Sequence, residues 1–303
     1  MNSRAYEDGE SYYRTCIGQG IQPCPNGAPK QMTERRTYRK VISASRRVDL
    51  VAFYPDYIVQ KLREIGVENI HTLVIWTKNP RNMLLHSELR SILKELDQVY
   101  VLLTITGLGG TALEPGAPKT EHVFRQLPEI IRLIGSPERL AIRYDPLIDV
   151  VHHQKERICN IEAGRFEQVL HRAHNLGIKR IITSYVTVYQ KVEKRLTQNG
   201  FEIVQHPLDE IADFIQDRMI RRAEKLGITV STCVQPDLTA RGCIDGETLM
   251  RLHPGQERCS LAKDPSQRDA CHCTKSLDIG QWFACYHNCL YCYGNPSRMP
   301  VDE

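Results

Sequence analysis

The sequence predicts an α/β fold of parallel β/α units that form a complete or partial barrel of the TIM-like type. Short runs rich in Val, Ile and Leu recur from residue 40 onward, which is typical of strands buried on both faces. Amphipathic stretches of helical period separate these runs. Because at least six such units follow one another without an obvious reversal, a barrel is favoured over an open doubly wound sheet.

Seven segments are predicted to be strands, and they define three parts of the chain. In chain order they read KVISAS, HTLVIWT, QVYVLLTIT, RLAIRYD, KRIITSYVTV, ITVSTC and SLDIGQW. Residues 1–38 are polar, punctuated by Gly and Pro, and predicted to be an N-terminal extension. Residues 39–230 hold the β/α units, and residues 231–303 are a cysteine-rich part that completes the barrel.

Composition excludes few functions. Forty basic and thirty-six acidic residues give a net charge of +4, which does not by itself indicate a nucleic-acid partner. The first residues lack the apolar core of a signal peptide, and no apolar run approaches the ~20 residues of a membrane span. We therefore expect a soluble, cytoplasmic protein without a membrane partner.

Polar residues follow the predicted strands at their carboxyl ends, where parallel β/α folds place their chemistry. Any one of these charged residues is as compatible with a structural ion pair as with a functional role, but together, facing a metal site, they favour function. The candidate catalytic residues are Arg143, Asp145, Thr106 and Lys78.

Eleven cysteines are many for a chain without an export signal, and eight of them lie in the last 71 residues. In a reducing compartment such cysteines are expected to bind metal or to pack in the core. Cys285, Cys289 and Cys292 follow the C-x3-C-x2-C pattern. Structural zinc needs four ligands, for which His287, Cys271 or Cys273 are candidates, whereas a [4Fe-4S] cluster held by three cysteines keeps one iron open.

The triad, with Tyr291 directly before its last cysteine, resembles the cluster motif of the radical S-adenosylmethionine (SAM) superfamily. The resemblance implies that Cys285, Cys289 and Cys292 ligate a [4Fe-4S] cluster whose open iron binds SAM, with Tyr291 beside the adenine. It also implies reductive cleavage of SAM to a 5′-deoxyadenosyl radical, or in a variant a 3-amino-3-carboxypropyl radical. Such a reaction is anaerobic and needs an electron donor such as flavodoxin or ferredoxin.

The triad stands near the C-terminus, whereas the superfamily normally carries it after the first barrel strand. A circular permutation explains this position, because a nearly closed barrel brings its first and last strands together. The strand KVISAS then occupies the superfamily's second position, whose end binds the methionyl group of SAM. Instead of the usual GGE this chain has SRRVD there, so the candidate cofactor-binding residues are Ser45, Arg46, Arg47 and Asp49.

Residues from about 41 to 295 resemble a bacterial domain-of-unknown-function family that is distantly similar to spore photoproduct lyase. The stretches that carry the resemblance are ISASRRVDLVAFY, VIWTKNP, TITGLG, IRYDP, GCIDG, CHCTKSLDIG and CYHNCLYCYGN. Four further cysteines lie in or near these stretches: Cys233, Cys243, Cys271 and Cys273. Four is the count for a fully ligated second site, for which we prefer a second [4Fe-4S] cluster, with zinc as the alternative.

Two function classes follow. The first is a radical SAM enzyme acting on an unidentified substrate. The second is a zinc-stabilised module that binds nucleic acid or another ligand, which predicts aromatic and basic residues interleaved near the cysteines. A large barrel with a polar rim is more scaffold than such a module needs, so nucleic acid is not strongly indicated.

Overall fold

The computed structural model describes residues 38–234, 238–239 and 241–299. The predicted N-terminal extension therefore lies outside the described residues, apart from Tyr38. The strands, in chain order, are β1 (Lys40–Ala44), β2 (Ile70–Thr77), β3 (Val99–Thr104), β4 (Leu140–Arg143), β5 (Asp149–His152), β6 (Glu156–Cys159), β7 (Arg180–Thr183), β8 (Phe201–Ile203), β9 (Thr229–Thr232) and β10 (Leu277–Asp278).

Seven parallel strands form the main sheet, in the order β10-β1-β2-β3-β4-β7-β9. Each predicted strand contributes one of them, which confirms the parallel β/α prediction. The last strand, β10, pairs with the first, so that Ile42 lies beside Leu277. The end of the chain is thereby brought back to the start of the sheet.

The sheet is open, so the complete form of the predicted barrel is wrong and the partial form remains. In the described part of the chain, the edge strands β9 and β10 do not pair with each other. The segment after β9 covers one face of the sheet, where Ile244 and Leu249 pack against Trp76 and Tyr100. This packing takes the place of the interior that a closed barrel would have.

The opposite face of the sheet is covered by helices. In chain order they are α1 (Leu50–Phe53), α2 (Pro55–Ile65), α3 (Arg81–Leu85), α4 (Ser87–Glu95), α5 (Thr120–Ile134), α6 (Ala163–Asn175), α7 (Gln190–Gln198), α8 (Leu208–Phe214), α9 (Arg221–Glu224) and α10 (Gly246–Leu252), with a π-helical turn at Ile215–Ile220 joining α8 to α9. Helix α10 instead belongs to the segment that covers the first face. The main core forms where strand residues such as Ile75 and Leu103 meet helix residues such as Leu62 and Leu127. None of the helices in these described ranges is long and apolar enough to cross a membrane.

A small antiparallel sheet in the order β6-β5-β8 was not predicted. Its strands are three or four residues long, too short for a period-2 pattern to stand out from loop sequence. Asp149 at the start of β5 is buried and accepts hydrogen bonds from Arg157 Nε at 2.9 Å and from His206 Nε2 at 2.8 Å. This sheet supports one side of the site described below.

We expect Asp149→Asn to destabilise the protein most near neutral pH. Burial alone would raise the pKa of Asp149, but hydrogen bonds from Arg157 and His206 outweigh it and lower the pKa. A carboxyl whose folded pKa is lowered stabilises the fold above its unfolded pKa of about 3.9, and this contribution is lost as pH falls through the folded pKa. Urea unfolding of both proteins at equal metal content, between pH 6 and pH 3, should show the difference in unfolding free energy shrinking with acid. A difference that stays constant over this range would contradict the assignment.

Candidate functional site

The three clustered cysteines lie in a loop of residues 285–294, the cysteine loop, which follows β10. Main-chain hydrogen bonds of 3.0 Å tie it to the segment after β3, from Gly116 N to His287 O and from Leu290 N to Leu113 O. From helix α7, Arg195 Nη1 donates to Leu290 O at 3.1 Å and to Cys292 O at 2.7 Å. The loop backbone is therefore fixed from two sides.

Gly116 allows the close approach of these two segments. A Cβ atom at this position would stand 2.1 Å from Tyr286 O and 3.0 Å from His287 Cα. Real Cβ atoms do not come that close to a main-chain oxygen, so any other residue would push the cysteine loop away.

We expect Gly116→Ala to cost roughly 1–3 kcal/mol of stability and to lower the iron bound per chain, because overpacking displaces the loop. Gly164→Ala is the matched control, since a Cβ atom at Gly164, in α6, would meet nothing within 4 Å. That change should be neutral or slightly stabilising. Thermal unfolding and iron analysis after anaerobic reconstitution measure both effects; equal behaviour of the two variants would refute the argument.

The three thiols of the loop lie near one another. Burial, helped by the charges of Asp49 and Cys292, raises the pKa of Cys285 to about 11. Burial raises the pKa of Cys289 well above its usual range, although the nearby Lys78 ammonium opposes this. Cys289 is buried, whereas Cys285 and Cys292 are partly exposed. A metal must displace the protons of such thiols, and three thiolates leave room for a ligand that the protein does not supply.

Asp49 joins the first strand, the second strand and the cysteine loop. Its Oδ2 atom accepts hydrogen bonds from the main-chain nitrogen of Lys78 and the hydroxyl of Thr77, at 2.7 and 2.9 Å. The same atom lies 2.7 Å from His287 Nε2, while His287 Nδ1 lies 3.2 Å from Gly116 O. Both ring nitrogens of His287 are thus engaged, and neither points to a metal as the sequence analysis had allowed.

Glu114 joins three predicted site residues. Its carboxylate is fully buried and accepts hydrogen bonds from Lys78 Nζ at 3.0 Å, from the Thr106 hydroxyl at 2.7 Å and from the Tyr291 hydroxyl. Lys78 Nζ also lies 3.1 Å from the Tyr291 oxygen. Burial lowers the pKa of Lys78, but Glu114 and the thiolate of Cys289 more than compensate and raise it. Lys78 is therefore a largely buried cation beside the cysteine triad, with 15% of its side chain exposed.

The residues after β1 gather around Asp278 of β10. Ser45 Oγ donates to Asp278 Oδ1 at 2.7 Å, and the main-chain nitrogen of Arg46 donates to Oδ2 at 3.1 Å. Arg47 Nη1 donates to Gly280 O at 2.8 Å, and about a third of the Arg47 side chain is exposed. Among the predicted methionyl-binding residues, Arg47 is therefore the one most open to a ligand.

The predicted catalytic residues fall into two groups. Thr106 and Lys78 lie with Cys289 and Tyr291, as described. Arg143 pairs with Asp145, which also accepts a hydrogen bond from the Ser184 hydroxyl. This second group lies beside Cys233 and Cys243, whose charges act on Arg143.

The second set of cysteines is also brought together. The Cys243 thiol contacts the thiols of Cys233 and Cys273, and Cys273 in turn contacts Cys271. Cys259 is separate, since its thiol donates to Gly246 O at 3.6 Å. Over residues 38–234, 238–239 and 241–299, no group of three or more His, Cys, Asp or Glu side chains has the spacing to hold a single metal ion.

A family described as a domain of unknown function (DUF1848) matches residues 64–294. The chain belongs to this family. Among solved structures, a crystal structure of Streptococcus suis SuiB bound to S-adenosylmethionine is similar at 10% identity, with a TM-score of 0.37, over 80% of this chain and 59% of that one. Another Streptococcus suis SuiB structure is similar at 10% identity, with a TM-score of 0.31, over 65% and 50%. The chain thus spans little more than half of these SuiB chains, and no curated protein matches it.

The match to DUF1848 includes two site residues that the sequence did not single out, Glu114 and Arg195. Glu114 lies in a Gly- and Pro-rich segment without periodicity, so no pattern marked it as buried. Arg195 follows Lys191 and Lys194 in a basic run that is typical of a solvated surface. Their common feature, contact with the cysteine loop, is visible only in three dimensions.

Proposed function

We propose that this DUF1848 protein is a radical SAM enzyme of circularly permuted type, acting on an unidentified substrate. When bound, a [4Fe-4S] cluster at Cys285, Cys289 and Cys292 supplies the electron that cleaves a C–S bond of SAM. The observation that supports this proposal is the construction of the cysteine loop. Three thiols are held near one another, and both nitrogens of the nearby His287 are engaged elsewhere, so the donor set suits a cluster with one open iron.

In this proposal Lys78 places a positive charge beside the triad, and Tyr291 provides apolar packing beside it. The Lys78 ammonium opposes the negative charge of the Cys289 thiolate, and Glu114 holds both Lys78 and the Tyr291 hydroxyl in place. Tyr291 is buried among apolar residues of the small sheet, which keeps water away from this side of the triad. Thr106 and Glu114 are positioning residues in this reading.

Arg47 is the proposed contact of the methionyl group, whereas the Ser45 hydroxyl is buried and bonded to Asp278. Arg47 is partly exposed and stacks over Trp282, with 5.7 Å from its guanidinium to the ring centroid. A guanidinium so placed suits a carboxylate by charge and geometry. Asp49 has a different role here, because its carboxylate is occupied by Thr77, Lys78 and His287.

The test is product analysis on anaerobically reconstituted protein with SAM and a strong reductant. The proposal predicts 5′-deoxyadenosine, or 5′-methylthioadenosine if the 3-amino-3-carboxypropyl bond breaks, at a rate above that of metal-free protein. Formation of neither product by protein that contains the cluster would refute it. Stoichiometric zinc with no reconstitutable iron would instead favour the zinc-stabilised binding module.

A further inference from the structure

Four cysteines from three short segments of the chain meet on one face of the sheet, close to the end of β9. Their thiols form a chain of contacts in the order Cys233, Cys243, Cys273, Cys271. All but Cys233 are buried, and Trp76 and Tyr100 belong to the same packed cluster. Thiols brought together from three separate segments are a donor set for a soft metal centre.

Two guanidinium groups lie beside this thiol chain. Arg46 and Arg143 both stack on Trp76, at 5.2 and 4.9 Å from the ring centroid. Arg46 acts on the Cys273 thiolate and Arg143 on the Cys233 thiolate, in each case stabilising the charged sulfur. Only 11% of the Arg46 side chain and 20% of the Arg143 side chain are exposed.

The two cations differ in how fully carboxylates pair them. Arg143 forms a direct ion pair with Asp145, whereas Arg46 lies 3.8 Å from both Asp264 and Asp278, beyond hydrogen-bond distance. Arg46 Nη2 is buried and has no hydrogen-bond partner. Because a buried cation without full compensation is costly, the position of Arg46 indicates further negative charge at the thiols.

We propose that Cys233, Cys243, Cys271 and Cys273 bind a second iron-sulfur cluster whose negative charge is partly offset by Arg46 and Arg143. Four thiolates around a 2+ cluster core leave a net charge of about −2. The inference goes beyond the proposed function, because it concerns a separate metal centre and does not depend on SAM cleavage.

Charge does not distinguish this cluster from zinc, since zinc held by four thiolates carries the same net charge. The metal content of the variants below distinguishes the two.

Metal analysis of two complementary variants tests the site. A variant with Cys285, Cys289 and Cys292 replaced by Ala retains only the second set, and we expect about four iron and four sulfide per chain. Single Cys271→Ala in the intact chain should lose about half of the total iron, which guards against misfolding of the triple variant. One zinc per chain in the triple variant, or unchanged iron in Cys271→Ala, would overturn the proposal.

The counter-ion role predicts a shift in reduction potential. In the variant without the triad, Arg143→Met should disfavour the added electron by about tenfold in the reduction equilibrium, a shift of about 59 mV to lower potential for one electron. Arg143→Lys keeps the charge and should stay near the parent value. A redox titration followed by electron paramagnetic resonance (EPR) measures both. An unchanged potential in Arg143→Met would overturn the counter-ion role, while the product assay above judges the proposed function separately.

Discussion

Replacing Cys289 by alanine is expected to abolish cleavage of SAM and to remove the iron bound by the cysteine loop. Cys289 is the buried member of the triad, and Lys78 lies beside its thiol. Because loss of a residue that merely supports a metal ligand costs about 10–100-fold, loss of a ligand itself should reduce activity by more than about 100-fold. Iron analysis and product formation, measured on the same reconstituted sample, check both parts.

Cys259→Ala is the matched control for this change. Cys259 is equally buried, but its thiol donates to Gly246 O and lies outside both cysteine sets. Its replacement should leave iron content and SAM cleavage near the unmodified level, with a modest loss of stability from the small cavity. If Cys289→Ala and Cys259→Ala behave alike, the assignment of the triad fails.

Replacing Glu114 by glutamine is expected to destabilise the protein by about 3 kcal/mol, because the change leaves the largely buried Lys78 ammonium without its counter-ion. Glu114 is fully buried and is the common acceptor for Lys78, Thr106 and Tyr291. Because each kcal/mol shifts the melting temperature by about 2–4 °C, thermal unfolding can resolve the effect. We also expect weaker cluster binding, since Tyr291 loses its acceptor beside Cys289.

The double variant Glu114→Gln with Lys78→Met separates the ion pair from the other contacts of Glu114. Removing both charges should recover part of the stability lost in Glu114→Gln alone, because no unpaired cation remains. If the unfolding free energy of Glu114→Gln lies within about 0.5 kcal/mol of the parent value, the Glu114–Lys78 ion pair does not contribute to stability as proposed. The same conclusion follows if the effects of the two changes on the unfolding free energy are strictly additive.

The main sheet was predictable because its strands are buried on both faces and their apolar runs are hard to mistake. HTLVIWT and QVYVLLTIT illustrate this, since every residue of β2 and nearly every residue of β3 is buried. The small antiparallel sheet was not predictable, because its strands are short and lie in mixed sequence. Barrel closure could not be predicted from periodicity, because periodicity does not show which other segments pack on the sheet, here Ile244 and Leu249.

The clustering of the three cysteines could be predicted from the sequence, but the residues that support their loop could not. Cysteine spacing identified the triad, and the strand-end rule selected Lys78 and Thr106. That rule also selected Arg143 for the same site, yet Arg143 lies beside the second cysteine set. The role of Glu114 was not predicted, because a single carboxylate in a Gly- and Pro-rich segment belongs to no recognisable pattern. Only the folded chain brings it to Lys78 and Tyr291.

One measurement tests the central proposal most directly: EPR of the anaerobically purified, reduced full-length protein before and after addition of SAM. The proposal predicts a [4Fe-4S] signal that changes when SAM is added, together with loss of that change in Cys289→Ala. A reduced cluster signal that SAM leaves unaltered would contradict an open iron at the triad, and with it the assignment as a radical SAM enzyme.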